Sequence, residues 1–471
     1  MRVRRIELAV TLLLLVLTSA AQSQFPDTPA GHQAAAWLEA FNRGDRDGLR
    51  DFLEKNYPSR LEHLDDQLRF RRMTGGFDVK KVKDSTPTKL NLLVQERLSD
   101  QMARLTVEVQ DSEPHQITRI ELSAIPRPAE FALPHLSQTE LIAETKKYVE
   151  HEVALDHFAG TVLIAKGGKP VFEQAYGLAD REHNVPNKLN TTFRIGSMNK
   201  MFTATSILQL VQAGKIALTD PVGKYLPDYP NKDVATKVTI EQLLTHTGGT
   251  GDFFGPEFDK HRLELRTLDD YVKLYGSRAP KFDPGSKWEY SNYGFLLLGV
   301  IIEKVTGQSY YDYVREHIYA PAGMTSTASE PEDKAVPDRS QGYTKMEGTD
   351  WKPNTDTLPY RGTSAGGGYS TVEDLLKFAT ALEQNKLLNA HYTDLLTTGK
   401  PGTPDKSYAY GFGDQTINGT RCFGHGGGAP GMNGELEICP AAGYVVAVLA
   451  NLDPPAATRV SDFIANRLPE H

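Results

Sequence analysis

Strand-like runs stand at the two ends of the long second part of this chain, and that placement constrains the fold more than any other feature. Lys166-Gly167-Gly168-Lys169 joins two apolar runs as a hairpin, and strand patterns return only at Arg421 to His425, Gly434 to Cys439 and Tyr444 to Leu449. Helical stretches dominate from 197 to about 390, and a final helix is expected from about Ala456 to Leu468. Strands supplied by both ends, with helices between them, predict an α+β fold in which one antiparallel sheet is assembled from the two termini and flanked by helices.

Upstream of this, Pro126-Arg127-Pro128-Ala129 to Pro134 reads as a stiff linker, because proline fixes φ and cannot donate to a ladder. The expected organisation is therefore a small α+β domain over 24–125, a linker over 126–136 and a larger domain over 137–471. In the small domain, Ala35, Leu38, Phe41, Leu49, Phe52 and Leu53 recur near helical spacing, and the turn-like Asn42 to Gly44 splits them into two short helices. Leu105, Val107 and Val109 alternate with Arg104, Thr106 and Glu108, as half-buried strands do. Ser137 with Glu140 has the spacing of a capping box at the head of the larger domain.

Residues 1–23 have the form of a leader: Arg2, Arg4 and Arg5, then a mostly apolar run from Leu8 to Leu17, then Ser19, Ala20 and Ala21. A run of about ten residues is half the roughly 20 needed to span a bilayer, so an exported chain, periplasmic or secreted, without a stable span after cleavage is expected. The formal net charge of −8 argues against nucleic acid as a partner. Two cysteines exclude a disulfide-rich scaffold and an iron-sulfur site.

Three short segments carry the chemistry. Phe193-Arg194-Ile195-Gly196-Ser197-Met198-Asn199-Lys200 opens a helix, which places Ser197 at a helix N-terminus with Lys200 on the same face. Lysine has a reference pKa of about 10.4 and must be brought toward roughly 7 to 8, by burial, before it can take a serine proton. Tyr290-Ser291-Asn292 follows the turn Pro284-Gly285-Ser286 and supplies a phenol that can shuttle a proton and an amide that can hold a substrate carbonyl. Gly424-His425-Gly426-Gly427-Gly428 reads as the end of an edge strand against which a substrate backbone can lie, with the Gly428 and Ser197 N–H groups as a candidate oxyanion hole. Tyr229-Pro230-Asn231 and His246-Thr247-Gly248 repeat two of these forms and are read as structural loops. The loops at about 250–280 and 330–365 are expected to shape the substrate pocket.

In this order, Ser197-x-x-Lys200, Tyr290-x-Asn292 and His425-Gly426-Gly427 resemble the three motifs of the class C β-lactamase-like serine hydrolases. The resemblance extends over roughly 155–470 and includes Leu243-Leu244-Thr245-His246-Thr247-Gly248-Gly249 and Ala365-Gly366-Gly367-Gly368-Tyr369. It implies an acyl-serine mechanism without metal or other cofactor, Ser197 as nucleophile and Lys200 with Tyr290 as the acid–base pair. Asn292, His425, Gly427 and Gly428 would bind substrate. The β-lactamases of this group usually carry Lys-Thr-Gly at the third motif. A histidine there, mostly neutral at pH 7, favours an ester, a peptide or a cell-wall-derived substrate over a β-lactam. A β-lactamase, a D-alanyl-D-alanine carboxypeptidase and a non-catalytic binding protein on the same scaffold are the alternatives. The opening Trp37-Leu38-Glu39-Ala40-Phe41-Asn42-Arg43-Gly44-Asp45 resembles the first helix of nuclear transport factor 2-like domains, which implies a curved, cone-shaped sheet in the small domain.

Cys422 and Cys439 flank the third motif. If they pair across a hairpin, His425 faces Leu436 and Gly428 faces Asn433. A cross-strand disulfide is expected in an oxidising compartment, with two buried thiols as the alternative. A zinc site from Cys422, His425 and Cys439 is disfavoured, because the paired Cys-x-x-Cys spacing is missing.

Overall fold

The structure, a computed structural model, describes residues 25–346 and 350–470, so the leader-like segment lies outside the described residues. Two compact units result: 25–97 with 102–124, and 98–101 with 125–470.

The first unit begins with helices α1 (Pro29–Arg43) and α2 (Arg46–Asn56). Thr28 caps α1 by accepting from the Gly31 N–H, Asp45 caps α2 through the Gly48 N–H, and Gly44, at φ 74°, ends α1 in the left-handed region that glycine tolerates. Helix α3 (Leu64–Thr74) leads into strands β1 (Phe77–Ser85), β2 (Lys89–Glu96), β3 (Met102–Val109) and β4 (Ile117–Ile125), which form an antiparallel sheet in sequential order. Trp37, Phe41, Leu53, Leu92 and Leu105 are among the residues of its apolar core. Helix α3 and strand β1 left weak sequence signals. Helix α3 buries only Leu64, Leu68 and Thr74, and two register shifts in β1, at Val79/Lys81 and Val82/Asp84, break the period of two.

The second unit opens with α4 (Gln138–Ala154) behind the Ser137/Glu140 capping box, followed by the hairpin β5 (Gly160–Lys166) and β6 (Lys169–Tyr176). Helices α5 (Asn199–Gln212), α6 (Ile240–Leu244) and α7 (Asn292–Thr306) belong to the long middle section. Strands β7 (Gly413–Ile417), β8 (Thr420–Ala429), β9 (Met432–Cys439) and β10 (Tyr444–Ala450) and helix α8 (Ala456–Ala465) complete it. The six strands form one antiparallel sheet, ordered β7-β8-β9-β10-β5-β6, so the two ends of the unit do meet, at the β10–β5 pair. Alternation along β10 sends Val446 and Val448 into a core with Leu141, Val149, Val460 and Ile464 of α4 and α8, and Ala447 and Leu449 into a second core with Phe202 and Ile207 of α5. Burial on both faces explains why β10 reads as a continuous apolar run.

One expectation is narrowed here. The strand that ends in Gly424 to Gly428 is an edge only in that last part, because β7 pairs with it from Thr420 to Gly424. That pairing stops at the Gly413–Gly424 pair, so β8 becomes an edge only from His425 onward, where the glycines lie. Strand β7, with half-buried and exposed residues and no buried one, offered little pattern to find.

Candidate active site

Ser197 lies in the tight turn Gly196–Met198 that leads into α5. Gly196 takes a φ of 51°, and β8 presses on the same turn: a Cβ built on Gly427 would stand 1.9 Å from the Ile195 carbonyl oxygen. On the other side, a Cβ on Gly428 would meet Pro454 Cγ at 2.7 Å. Glycine is therefore required at both positions by close approach, and the glycine run and the serine turn are locked together.

Lys200 is one helical turn beyond the serine and fully buried. Its Nζ lies 3.1 Å from Ser197 Oγ, donates to Asn292 Oδ1 at 2.7 Å, and donates to the Ala365 carbonyl. Burial lowers its pKa to about 7, against a smaller opposing effect of the Asp252 charge. A neutral lysine has two N–H donors and one lone pair. With Asn292 Oδ1 and the Ala365 oxygen taking the two donors, the lone pair is left for the Ser197 hydroxyl.

Asn292 begins α7, which Ser291 caps through the Gly294 N–H. Its Nδ2 donates to Asp252 Oδ2 at 2.8 Å. A carboxylate only accepts, so Asp252 fixes which way the Asn292 amide points and thereby aims Oδ1 at Lys200. The Asp252 carboxylate is held in turn by the Phe253 and Phe254 N–H groups at 2.7 and 3.2 Å. The Tyr290 ring centroid lies 4.7 Å from Lys200 Nζ, and Ser197 is close enough to favour the charged form of Tyr290 slightly. Burial pushes its phenol well above the ordinary tyrosine value, so it holds its proton at neutral pH.

The third motif is built differently from a lysine-bearing one. His425 Nδ1 faces the Gly426 carbonyl, which can only accept, so Nδ1 carries the proton. Nε2 then accepts from the Tyr408 hydroxyl at 3.1 Å. That hydroxyl accepts from His246 Nε2 at 3.0 Å, because His246 Nδ1 is occupied by the Ser291 N–H at 3.1 Å. Both ends of the relay are backbone groups, and they determine each tautomer along it. Burial and the nearby Lys200 push His425 down to about 4 and His246 well below the usual histidine value, so both rings are neutral.

The structure thus brings Ser197, Lys200, Tyr290, Asn292, His425, Gly427 and Gly428 into one place. Cys422 and Cys439 are bonded to each other, and the register pairs His425 with Leu436 and Gly428 with Asn433. Tyr229 belongs to the core, its hydroxyl 3.0 Å from that of Tyr293. His246 does lie in a loop after α6, but its ring also packs against Tyr290 at a tilt of 35°, with centroids 4.3 Å apart. Asp252, Tyr408 and the Ala365 carbonyl escaped the sequence reading. Asp252 falls in a loop expected to shape the pocket, where nothing in its spacing singles it out, and Ala365 opens the Ala365–Tyr369 segment of the resemblance, in which a backbone carbonyl leaves no signal of its own.

The family model described as Beta-lactamase matches residues 145–469. Among solved structures, the chain is similar to a penicillin binding protein from Bacillus halodurans, at 35% identity and TM-score 0.61, over 67% of this chain and 97% of that one. It is also similar to a D-stereospecific amidohydrolase from Streptomyces sp., at 30% identity and TM-score 0.60, over 69% and 98% of the two chains. Penicillin-binding protein 4 of Amycolatopsis lactamdurans is 28% identical over 312 residues, which is 63% of this chain and 81% of that protein.

Proposed function

The chain belongs to the Beta-lactamase family, and from that premise we propose that it is an exported serine hydrolase that cleaves amide or ester bonds through an acyl-enzyme on Ser197. The observation that carries this reading is the buried Lys200, brought to about 7 and 3.1 Å from the serine oxygen, with both amine hydrogens engaged elsewhere. Near pH 7 about half of such a lysine is neutral and able to accept the serine proton. Tyr290, held protonated by burial, is the group positioned to pass a proton to the leaving group. Negative charge developing on the substrate carbonyl would meet the N–H groups of Ser197 and Gly428.

A substrate carboxylate finds no cation at the third motif, since both ring nitrogens of His425 are occupied within the protein and the ring is neutral. This favours peptide amides and esters over β-lactams. The likeness to the D-stereospecific amidohydrolase supports an amide substrate; the likeness to penicillin-binding proteins keeps a D-alanyl peptide in view. The small domain's likeness to nuclear transport factor 2-like domains is part of the proposal and is supported by α1 followed by a four-stranded antiparallel sheet.

Intact-mass analysis with p-nitrophenyl butyrate, nitrocefin and a D-alanyl peptide, alongside hydrolysis rates, tests the reading. The expected result is an adduct on the native protein, turnover of ester or peptide above nitrocefin, and loss of both in Ser197→Ala. Absence of adduct and turnover with all three would instead favour a binding protein on a hydrolase scaffold.

A further inference from the structure

Asn433 of β9 is 3% exposed and has both ends of its amide committed to backbone groups on different elements. Its Oδ1 accepts from the Ala457 and Thr458 N–H groups, at 2.7 and 3.0 Å, in the first turn of α8. Those donors are backbone and cannot reverse, so the amide orientation is fixed and Nδ2 must point the other way. There it donates to the Gly427 carbonyl at 2.9 Å, with a longer contact to the Thr458 hydroxyl at 3.3 Å.

The bond from Gly427 to Gly428 is not among the cis peptides, and in a trans peptide the C=O and N–H point in opposite directions. A Gly427 carbonyl turned toward Asn433 therefore turns the Gly428 N–H away from β9, to the side on which β8 has lost its β7 partner. That side also holds the nucleophile turn. A Cβ built on Gly196 would be 3.1 Å from the Gly428 nitrogen, and one built on Gly427 would be 3.1 Å from the Ser197 nitrogen. The β8–β9 ladder, which pairs Gly427 with Gly434, faces this peptide toward β9, and Asn433 adds a side-chain donor to the same carbonyl, whereas the open edge offers no ladder bond on the other side.

We propose that Asn433 is a positioning residue for the oxyanion hole: it clamps the Gly427–Gly428 peptide against the N-terminus of α8 so that the Gly428 N–H faces the reacting carbonyl. The proposal rests on the acyl-enzyme reading. Its effect belongs to the transition state, where the oxygen gains charge, so it should appear in kcat and hardly in KM.

Two variants separate the clamp from mere support of the helix. Asn433→Asp keeps acceptors for the Ala457 and Thr458 N–H groups, which also hold its carboxylate ionised, but has no donor for the Gly427 carbonyl. Asn433→Ala loses both. On p-nitrophenyl butyrate, both should lose about 10 to 100-fold in kcat with KM changed less than about threefold. Both variants leave buried polar groups without partners and should lower the melting temperature, so the split between kcat and KM, not stability, carries the test. Undiminished kcat in Asn433→Asp, or a loss expressed in KM, would overturn the proposal. Labelling of the native protein by a fluorophosphonate at Ser197 keeps the two readings apart. A labelled native protein with a fully active Asn433→Asp removes the clamp alone, whereas an unlabelled native protein removes the acyl-enzyme reading and the clamp with it.

Discussion

The two units treat their charged and polar groups in opposite ways. In the first, arginines pair with carboxylates at the surface, as in Arg46–Asp65, Arg97–Asp78 and Arg119–Glu121, and Thr74 and Thr106 are the buried polar side chains among its described residues. In the second, Lys200, His246, Asn433 and Glu437 are all buried, and burial pushes Glu437 up to about 8 and Lys200 down to about 7. Desolvating an ionisable group opposes folding, so a site that retains several of them has a use for their shifted proton affinities. Around Ser197 that use is visible in the geometry: each buried polar group fixes the orientation of the next. The first unit orders Asn91 and Thr106 in a similar way from the exposed Asp84, at 2.7 and 2.6 Å, but among its described residues that chain holds no buried ionisable group.

This contrast predicts that substitutions near Ser197 will cost activity more than stability. The largest effect is expected from Lys200→Met, which removes the base but replaces a buried amine with an apolar chain of similar length. Turnover of p-nitrophenyl butyrate should fall by about 10² to 10⁴-fold, with the melting temperature unchanged or raised. A matching loss of stability would mean that Lys200 is needed for the fold. Gly427→Ala should follow at about 10² to 10³-fold, because a methyl group 1.9 Å from the Ile195 carbonyl must displace the serine turn or the strand. Full activity in that variant would show that the two segments separate without consequence.

Asp252→Asn should give a smaller loss, about tenfold, together with a shift in the pH profile. Native activity should rise with pH through about 7, as Lys200 loses its proton. The Asp252 charge raises the lysine pKa, so neutralising it should move this acid limb to lower pH. A limb that moves upward or stays in place would assign the native pH dependence to another group.

How far the site could be read in advance depended on whether its residues lie together in sequence. Ser197 and Lys200 share one helical turn, Tyr290 and Asn292 one short segment, and His425, Gly427 and Gly428 one strand, so spacing marked short segments and the family resemblance of their order singled out the seven. Asp252 and Ala365 reach Lys200 from separate loops, and neither a lone aspartate nor a backbone carbonyl leaves a pattern. Fold followed the same rule. The doubly buried β10 and the Lys166 to Lys169 hairpin were legible, while β1, with its register shifts, and the half-exposed β7 were not. The failure at β7 had a cost in function, since β7 decides where β8 stops being covered and becomes an open edge.

The smallest effect is expected in the first unit, and it tests the other half of the contrast. Arg46 and Asp65 are paired, with side chains 50% and 79% exposed, and the Arg46 hydrogen bond holds the Asp65 carboxyl below its ordinary value. A group lowered in this way adds stability above its unfolded pKa and loses it as pH falls through the folded one, so any contribution would fade only in acid. Exposure, however, leaves both charges hydrated whether or not they meet, and salt screens what attraction remains. Arg46→Ala should therefore leave ester hydrolysis and the thermal midpoint at pH 7 unmoved, and the difference between native and variant should stay near zero as pH is lowered to 4. A midpoint that drops at pH 7 and recovers in acid would show the pair to be a structural element of the first unit, and its surface charges would then have a role that burial alone does not reveal.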